Sequence, residues 1–352
     1  MSLLPTLTEQ ISRARADLRM GLAIGIDDWI AVPVETLRPD RLAALAELGA
    51  PVLAISARRA ETLRIQVYDG DLARIALPAR ADAGWLRAMA DPSADLMVPM
   101  KGPFSALRGG ETAPHRAAIL LTKSAELLPA VVMVHAPAPE GLAHLHAAPV
   151  IAALAAQSPL HPVAAARLPL LSAQDSRLHI FRPENGAAEH YAVEIGNPPR
   201  DGTPLVRLHS ACFTGDVLGS LKCDCGPQLH AALDAMGQAG AGVLLYLNQE
   251  GRGIGLANKM RAYSLQNQGF DTVEANHRLG FEDDERDFRI GAGILHEMGF
   301  SRVRLMTNNP RKVAMLTSHG IEVAERVPLI LPANRFNRAY LETKARKSGH
   351  LL

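Results

Sequence analysis

Residues 223–255 read CDCGPQLHAALDAMGQAGAGVLLYLNQEGRGIG, and the order of elements in this stretch decides the fold class. Pro227 suits a first helical position. Leu229, Ala232, Leu233 and Met236 recur at the i, i+3, i+4, i+7 spacing of one buried face, and Gly240 follows as a C-terminal stop. The apolar run 243–247 is then a buried strand, and the glycine-rich 249–255 carries it into a second helix. Strands alternating with helices are the signature of an α/β layer.

The same alternation continues downstream. Leu256, Met260 and Tyr263 share one face of a helix that ends before Gly269. A third helix is expected to start in the acidic stretch 282–287, pack Phe288, Ala292 and Leu295, and stop at Gly299. Residues 303–306 form another strand, followed by Thr307-Asn308-Asn309-Pro310 and a short helix to Gly320. Upstream, the runs 178–181, 191–195 and 205–208 are separated by turn chemistry at 184–186 and 197–202, which predicts an antiparallel β layer at the head of this domain. Between about 134 and 169 the composition shifts to Ala, Pro and His, the mark of a seam; its histidines read as compositional drift and take no role. Before the seam, 11–21 has helical spacing and 22–26, 51–55 and 131–134 read as buried strands among Ala/Leu-rich helices. The expectation is a mixed α/β (α+β) chain with a first domain over 1–135, a linker over 136–166 and a second domain over 167–352.

Composition bounds the partners. The 352 residues are 48% apolar, enough for two ordinary cores, and 37 basic side chains face 36 acidic ones. That balance argues against nucleic acid and against an anionic membrane surface. No window approaches ~18 uninterrupted apolar residues and the start lacks a signal-peptide core, so a cytoplasmic protein is expected. The three cysteines are an odd number, unsuited to a disulfide framework, and fall within fourteen residues.

Cys212, Cys223 and Cys225 make a C-x10-C-x-C pattern, with Gly226-Pro227 launching a helix after the last. Three thiolates fill three corners of a zinc tetrahedron and leave the fourth for water, the open arrangement catalysis requires. The alternatives are a closed structural site completed by His209 or His230, or small buried thiols without metal. Gln249-Glu250-Gly251-Arg252-Gly253-Ile254-Gly255 joins strand to helix, where glycines let backbone N–H groups approach an anion and Arg252 adds charge; a merely flexible turn is the plain alternative. Thr307-Asn308-Asn309-Pro310-Arg311-Lys312 offers a second such mouth with hydroxyl, amide and cationic donors. Asp284-Glu285-Arg286-Asp287 reads as an exposed capping turn or as a carboxylate base beside a guanidinium that meets phosphate.

Taken in register, these motifs extend to Arg207-Leu208-His209-Ser210, Thr214-Gly215-Asp216, Cys223-Asp224-Cys225-Gly226, Lys259-Met260-Arg261-Ala262-Tyr263, Asp271-Thr272-Val273-Glu274-Ala275-Asn276, Asp284-Glu285-Arg286-Asp287-Phe288 and the ending Gly349-His350-Leu351-Leu352. Over roughly 167–352 the chain resembles GTP cyclohydrolase II, the first committed enzyme of riboflavin synthesis. The resemblance implies opening of the imidazole ring of GTP, release of C8 as formate, loss of pyrophosphate and a diaminopyrimidinone ribosylamino phosphate product. It implies zinc on Cys212, Cys223 and Cys225, Mg²⁺ with the GTP phosphates, and a homodimer. It implies Asp284 as proton acceptor and Arg286 as the residue attacking the α-phosphate. Arg207, Leu208, His209, Ser210, Ala211, Gln228, Glu250, Gly251, Arg252, Thr272, Thr307 and Lys312 would line the GTP site, with Tyr263 near the base. A guanidinium with a pKa above ~12 is a poor nucleophile, so stabilising charge on the phosphate is the chemical alternative for Arg286.

Two departures stand out. Ala211 occupies the position after His-Ser where the family usually has Glu. The first domain resembles dihydroxybutanone phosphate synthase through Arg19-Met20-Gly21 to Asp27-Asp28, Asp91-Pro92 to Met100, and the stretch from His115. Yet Trp29-Ile30-Ala31-Val32-Pro33 stands where that family has an acidic metal-binding loop, and Arg116-Ala117 where it has Thr-Glu. Without those carboxylates Mg²⁺ has no ligands there, and a catalytically dead scaffold is expected.

Overall fold

The structure is a computed structural model; it describes residues 3–338, Arg346 and Leu351. The chain divides into two compact units, each made of two segments: Met1–Ala156 with Ile254–Glu285, and Gln157–Gly253 with Arg286–Leu352.

The first unit opens with the helix Leu7–Arg19, started by a reciprocal cap in which Thr6 Oγ1 accepts from Glu9 N and Glu9 Oε2 accepts from Thr6 N. Its sheet runs, in spatial order, Ser105–Ala106, Leu72–Ala76, Val52–Ser56, Ala130–His135, Trp29–Pro33, Ile24–Ile26 and His144–Leu145. All neighbours are antiparallel except the last pair. Alternation along the central strand separates two cores: Val132 and Val134 join one, Val131 and Met133 the other. The second of these holds Ile11, Ala14 and Leu18 of the first helix, and the other holds Ile254, Ala262, Leu265, Ala275, Leu279 and Phe281. By compactness, therefore, the helices Gly255–Asn267 and Thr272–Leu279 go with the first unit, although the sequence reading runs them within 167–352. The cause is their apolar face, which is buried against this sheet.

The sheet of the second unit runs Glu322–Val327, Arg302–Met306, Leu205–Ser210, Gly242–Leu247, His190–Ile195, Ser176–Pro183 and Leu160–Arg167. The last three strands are antiparallel to their neighbours, as expected for Ser176–Pro183 and His190–Ile195, but Leu205–Ser210 is not part of that layer. It runs parallel to both Gly242–Leu247 and Arg302–Met306, because long connections containing helices lead into each. Val243, Leu245 and Leu247 face one core, shared with helix Arg289–Glu297; Leu244 faces the other, shared with Ala232 and Met236 of helix Cys225–Ala239.

Three details differ from the sequence expectation. Leu256 and Met260 lie on the exposed side of their helix, and Asn258, Ala262 and Leu265 are its buried face. Residues 282–287 precede the helix, which begins at Arg289. Helix Ala147–Ala155 and strand Leu160–Arg167 occupy much of 136–166. Of the expected C-terminal motif, Gly349, His350 and Leu352 lie outside the described residues.

Candidate active site

In the second unit Leu205–Ser210 lies between strands that follow it in sequence, Gly242–Leu247 on one side and Arg302–Met306 on the other. A strand order that reverses at one strand opens a crevice at its carboxyl end. Cys212 directly follows that end, Glu250 to Arg252 follow the second strand, and Thr307 follows the third.

Cys212 enters a five-residue π-helical turn, Phe213–Val217, which brings Asp216 back so that its Oδ2 accepts from Cys212 N at 3.0 Å. Cys223 and Cys225 flank Asp224 at the start of helix Cys225–Ala239. Two glycines let turn and helix close on each other. A Cβ at Gly226 would lie 2.3 Å from Gly215 O, and one at Gly215 would lie 2.7 Å from Cys223 Sγ and 3.0 Å from Cys212 Sγ. The three sulfurs lie within 4.8 Å of one another, with Cys212 and Cys223 3.7 Å apart. Zinc–sulfur bonds of ~2.3 Å in a tetrahedron require sulfurs about 3.8 Å apart, so this donor set fits zinc. Hydrogen bonding with Cys212 pushes the Cys223 thiol pKa up. Among the described residues this is the metal-competent group; His209 Nε2 bonds Asp216 at 3.0 Å and His230 Nδ1 bonds Gly226 O at 2.9 Å instead.

Arg207 lies within electrostatic reach of Cys225. Arg207 is buried, donates to Gln228 Oε1 and, at 3.4 Å, to Met306 O, and leaves its buried Nε without a partner. Burial pulls its pKa down to about 10, so it remains charged at neutral pH. Lys312 Nζ donates to Leu208 O at 2.9 Å and Arg286 Nη1 to Ser210 Oγ at 3.4 Å, and both cations lie over the Phe288 ring, at 4.6 and 4.7 Å. Glu250 Oε2 accepts from Phe213 N at 2.5 Å, tying the turn after the first strand to the loop after the second. In that loop Gly251 and Arg252 both have φ of 64°, left-handed backbone that Arg rarely adopts. Thr307 is buried, its Oγ1 accepting from Asn309 N at 3.0 Å, and Ala211 N donates to Leu247 O at 2.8 Å.

Within the second unit direct bonds join Arg207 to Gln228, Lys312 to Leu208 and Arg286 to Ser210, and sulfur proximity joins the three cysteines. Tyr263, Thr272 and Asp284 belong to the first unit. Tyr263 is on helix Gly255–Asn267 with Lys259 Nζ 5.9 Å from its ring centre, Thr272 opens the next helix and accepts from Gln266 Nε2 at 3.3 Å, and Asp284 is in the loop that follows.

Sequence reasoning assigned no role to Asp216 or Tyr246. Asp216 accepts from Cys212 N, His209 Nε2 and Tyr246 Oη, the last at 2.9 Å, and Tyr246 stacks on His209 with ring centres 5.5 Å apart. Burial holds the His209 pKa below its ordinary value despite Asp216, and burial with that carboxylate pushes the Tyr246 pKa up. The signal available was Thr214-Gly215-Asp216 itself, a carboxylate between metal-spaced cysteines.

In the first unit Asp27 of the synthase-like motif is employed structurally. Asp27 accepts from Ala147 N at the start of helix Ala147–Ala155 and contacts His146 Nδ1 at 3.1 Å. Trp29 packs edge-on against His115 at 4.4 Å, and His115 is fully buried without a hydrogen-bond partner.

Fold and site define an α/β protein with a three-cysteine, metal-competent centre and a cationic crevice at the carboxyl edge of parallel strands. The family model for GTP cyclohydrolase II matches residues 161–328. A curated GTP cyclohydrolase-2 from Azospirillum brasilense is 44% identical, spanning 97% of this chain and 93% of that protein. The chain belongs to the GTP cyclohydrolase II family and is an enzyme. The riboflavin biosynthesis protein RibBA of Bacillus cereus (strain AH187) is 59% identical over 164 residues, which are 47% of this chain and 41% of that protein. A solved structure of RibBX, a two domain 3,4-dihydroxy-2-butanone 4-phosphate synthase from A. baumannii, aligns over 91% of this chain and 99% of that chain with 16% identity and a TM-score of 0.30. Among the described residues no helix is long and apolar enough to cross a membrane.

Proposed function

We propose that the chain opens the imidazole ring of GTP, releasing formate and pyrophosphate, as a step toward riboflavin in the cytoplasm. It would work as a homodimer, with no nucleic acid or membrane partner. The observation that carries this reading is the set of three sulfurs within 4.8 Å of one another beside buried Arg207. Cys212, Cys223 and Cys225 would hold zinc, which when bound supplies Lewis acidity toward water at neutral pH.

The protein's own groups do the rest. Arg207, Arg286 and Lys312 offer fixed positive charge to a triphosphate that arrives with Mg²⁺. Arg286, already bonded to Ser210 Oγ, acts by stabilising charge on the α-phosphate while water attacks, since guanidinium groups are in general poor nucleophiles until a proton is removed. Asp284 takes the proton of the attacking water, and the loop over Glu250 to Arg252 and Thr307 bind the nucleotide. Tyr263 and Thr272 contact it from the helices that carry them. Ala211 lacks the carboxylate usual in the family and changes affinity rather than chemistry. The synthase-like half is catalytically silent, consistent with Asp27 serving as a helix cap and Trp29 standing where a metal loop is expected.

The test is incubation of purified protein with GTP, Mg²⁺ and Zn²⁺. Formate should appear with wild-type protein and not with Cys223→Ser, whose neutral hydroxyl is a much weaker zinc ligand than a thiolate. Full formate release by metal-free protein would overturn the reading. Ribulose 5-phosphate with Mg²⁺ should give no dihydroxybutanone phosphate above a no-enzyme control.

A further inference from the structure

The segment Ile254–Glu285 carries Tyr263, Thr272 and Asp284, yet it is embedded in the first unit. Its helices are 13 and 8 residues long, at or below the length that holds a helix alone in water, ~12 to 15 residues. Their folded state must come from packing. Ile254, Ala262, Leu265, Ala275, Leu279 and Phe281 are buried in one core with Ile30, Leu53, Ile55 and Leu128. The approach is closest at Gly280, where a Cβ would lie 2.7 Å from Ser56 Oγ and 2.8 Å from Pro129 Cγ.

Polar bonds repeat along the whole segment. Arg261 reaches Glu35 at 2.9 Å and Asp91 at 3.2 Å, and Asn258 Nδ2 donates to Glu126 O at 2.9 Å. Gln268 Nε2 donates to Ser93 O at 3.1 Å. At its end Arg58 binds Glu282 at 2.8 Å, and Lys123 binds Glu285, the neighbour of Asp284, at 2.5 Å.

We propose that the first 156 residues are retained as the platform on which the catalytic segment 254–285 folds and is held in register for GTP turnover. This gives the catalytically silent half a function, and it rests on the reading that Tyr263, Thr272 and Asp284 serve the GTP reaction. The platform's part is positional: none of Glu35, Asp91, Lys123 or Leu128 is assigned to substrate.

The test uses the full chain. Lys123→Glu places like charges together beside Asp284 without touching a proposed GTP or zinc residue, and Lys123→Glu with Glu285→Lys restores the pair in reverse. Hydrogen exchange of amides 272–285, zinc content and formate release are read on each. In Lys123→Glu, exchange over 272–285 should rise about tenfold or more and formate release should fall comparably, with zinc content unchanged; the double variant should recover both. Glu35→Ala, which frees Arg261 from one partner, repeats the measurement over 255–267 should Lys123→Glu fail to fold.

Unchanged exchange in both Lys123→Glu and Glu35→Ala, or raised exchange with wild-type turnover, overturns the platform role. A wild-type chain that releases no formate marks failure of the functional reading instead, and the exchange data then decide by themselves whether the platform holds the segment.

Discussion

Gly215 is the residue on which the thiol cluster depends most narrowly. Its missing side chain is the space between Cys212, Cys223 and Cys225, and a methyl group there would lie within 3.0 Å of both Cys212 Sγ and Cys223 Sγ. Gly215→Ala should therefore lose bound zinc, by at least about tenfold in affinity, while far-UV circular dichroism stays unchanged; elemental analysis after dialysis against a competing chelator checks it. Arg286→Ala removes a cation rather than space. It should lower pyrophosphate release by ~10² to 10³, with zinc retained, as phosphate-resolved product analysis would show. The thiols themselves were legible in the sequence because spacing and clustering mark them. Asp216 stands in the local motif Thr214-Gly215-Asp216, but its role was not legible, because the backbone N–H, imidazole and phenol it bonds come from different elements.

At the scale of elements, helix Thr272–Leu279 shows how much a cap contributes to a short helix. Asp271 Oδ1 accepts from Val273 N and Glu274 N, Glu274 Oε2 in turn accepts from Asp271 N at 3.1 Å, and Gly280 ends the helix at φ 90°. Asp271→Ala should cost about 1 kcal/mol, measured as a shift in the urea midpoint at constant slope. This helix escaped the periodicity reading because eight residues are too few to establish a face. The strand Glu322–Val327 escaped for another reason: it is an edge strand with charged, exposed side chains, so it shows no apolar run. Helix Cys225–Ala239 was legible because it is long and apolar on a helical period, and strand Gly242–Leu247 because it is a continuous apolar run. For Gly255–Asn267 the helix was legible and its face was not. Leu256 and Met260 outweigh Ala262 in hydrophobicity, but the sheet of the first unit receives the small face.

For the whole molecule, buried histidines link folding to pH, His115 in the first unit and His190 in the second among them. Burial lowers the pKa of His115 in the first unit and of His190 in the second to about 4. Both are neutral when folded and ordinary when unfolded. Between about pH 6.5 and 4 the unfolded chain binds more protons, so stability falls as pH drops through that window, by up to roughly 3 kcal/mol per histidine. His115→Leu should flatten this dependence for the first unit, read from urea midpoints at pH 7 and pH 5. A slope unchanged by the substitution would refute the assignment. The presence of two units was legible from the compositional seam; their interleaving was not, since it is set by which sheet a helix face meets. That interleaving also governs the order of events during synthesis. Residues 1–156 cannot close their core until Glu285 has left the ribosome, about 130 residues later, which at ~5 to 20 residues per second is a wait on the order of 10 s. Through that interval Leu53, Ile55 and Leu128 lack their covering helices. The nascent chain is therefore most exposed to aggregation and to chaperone binding midway through translation, after its first sheet exists and before its second segment arrives.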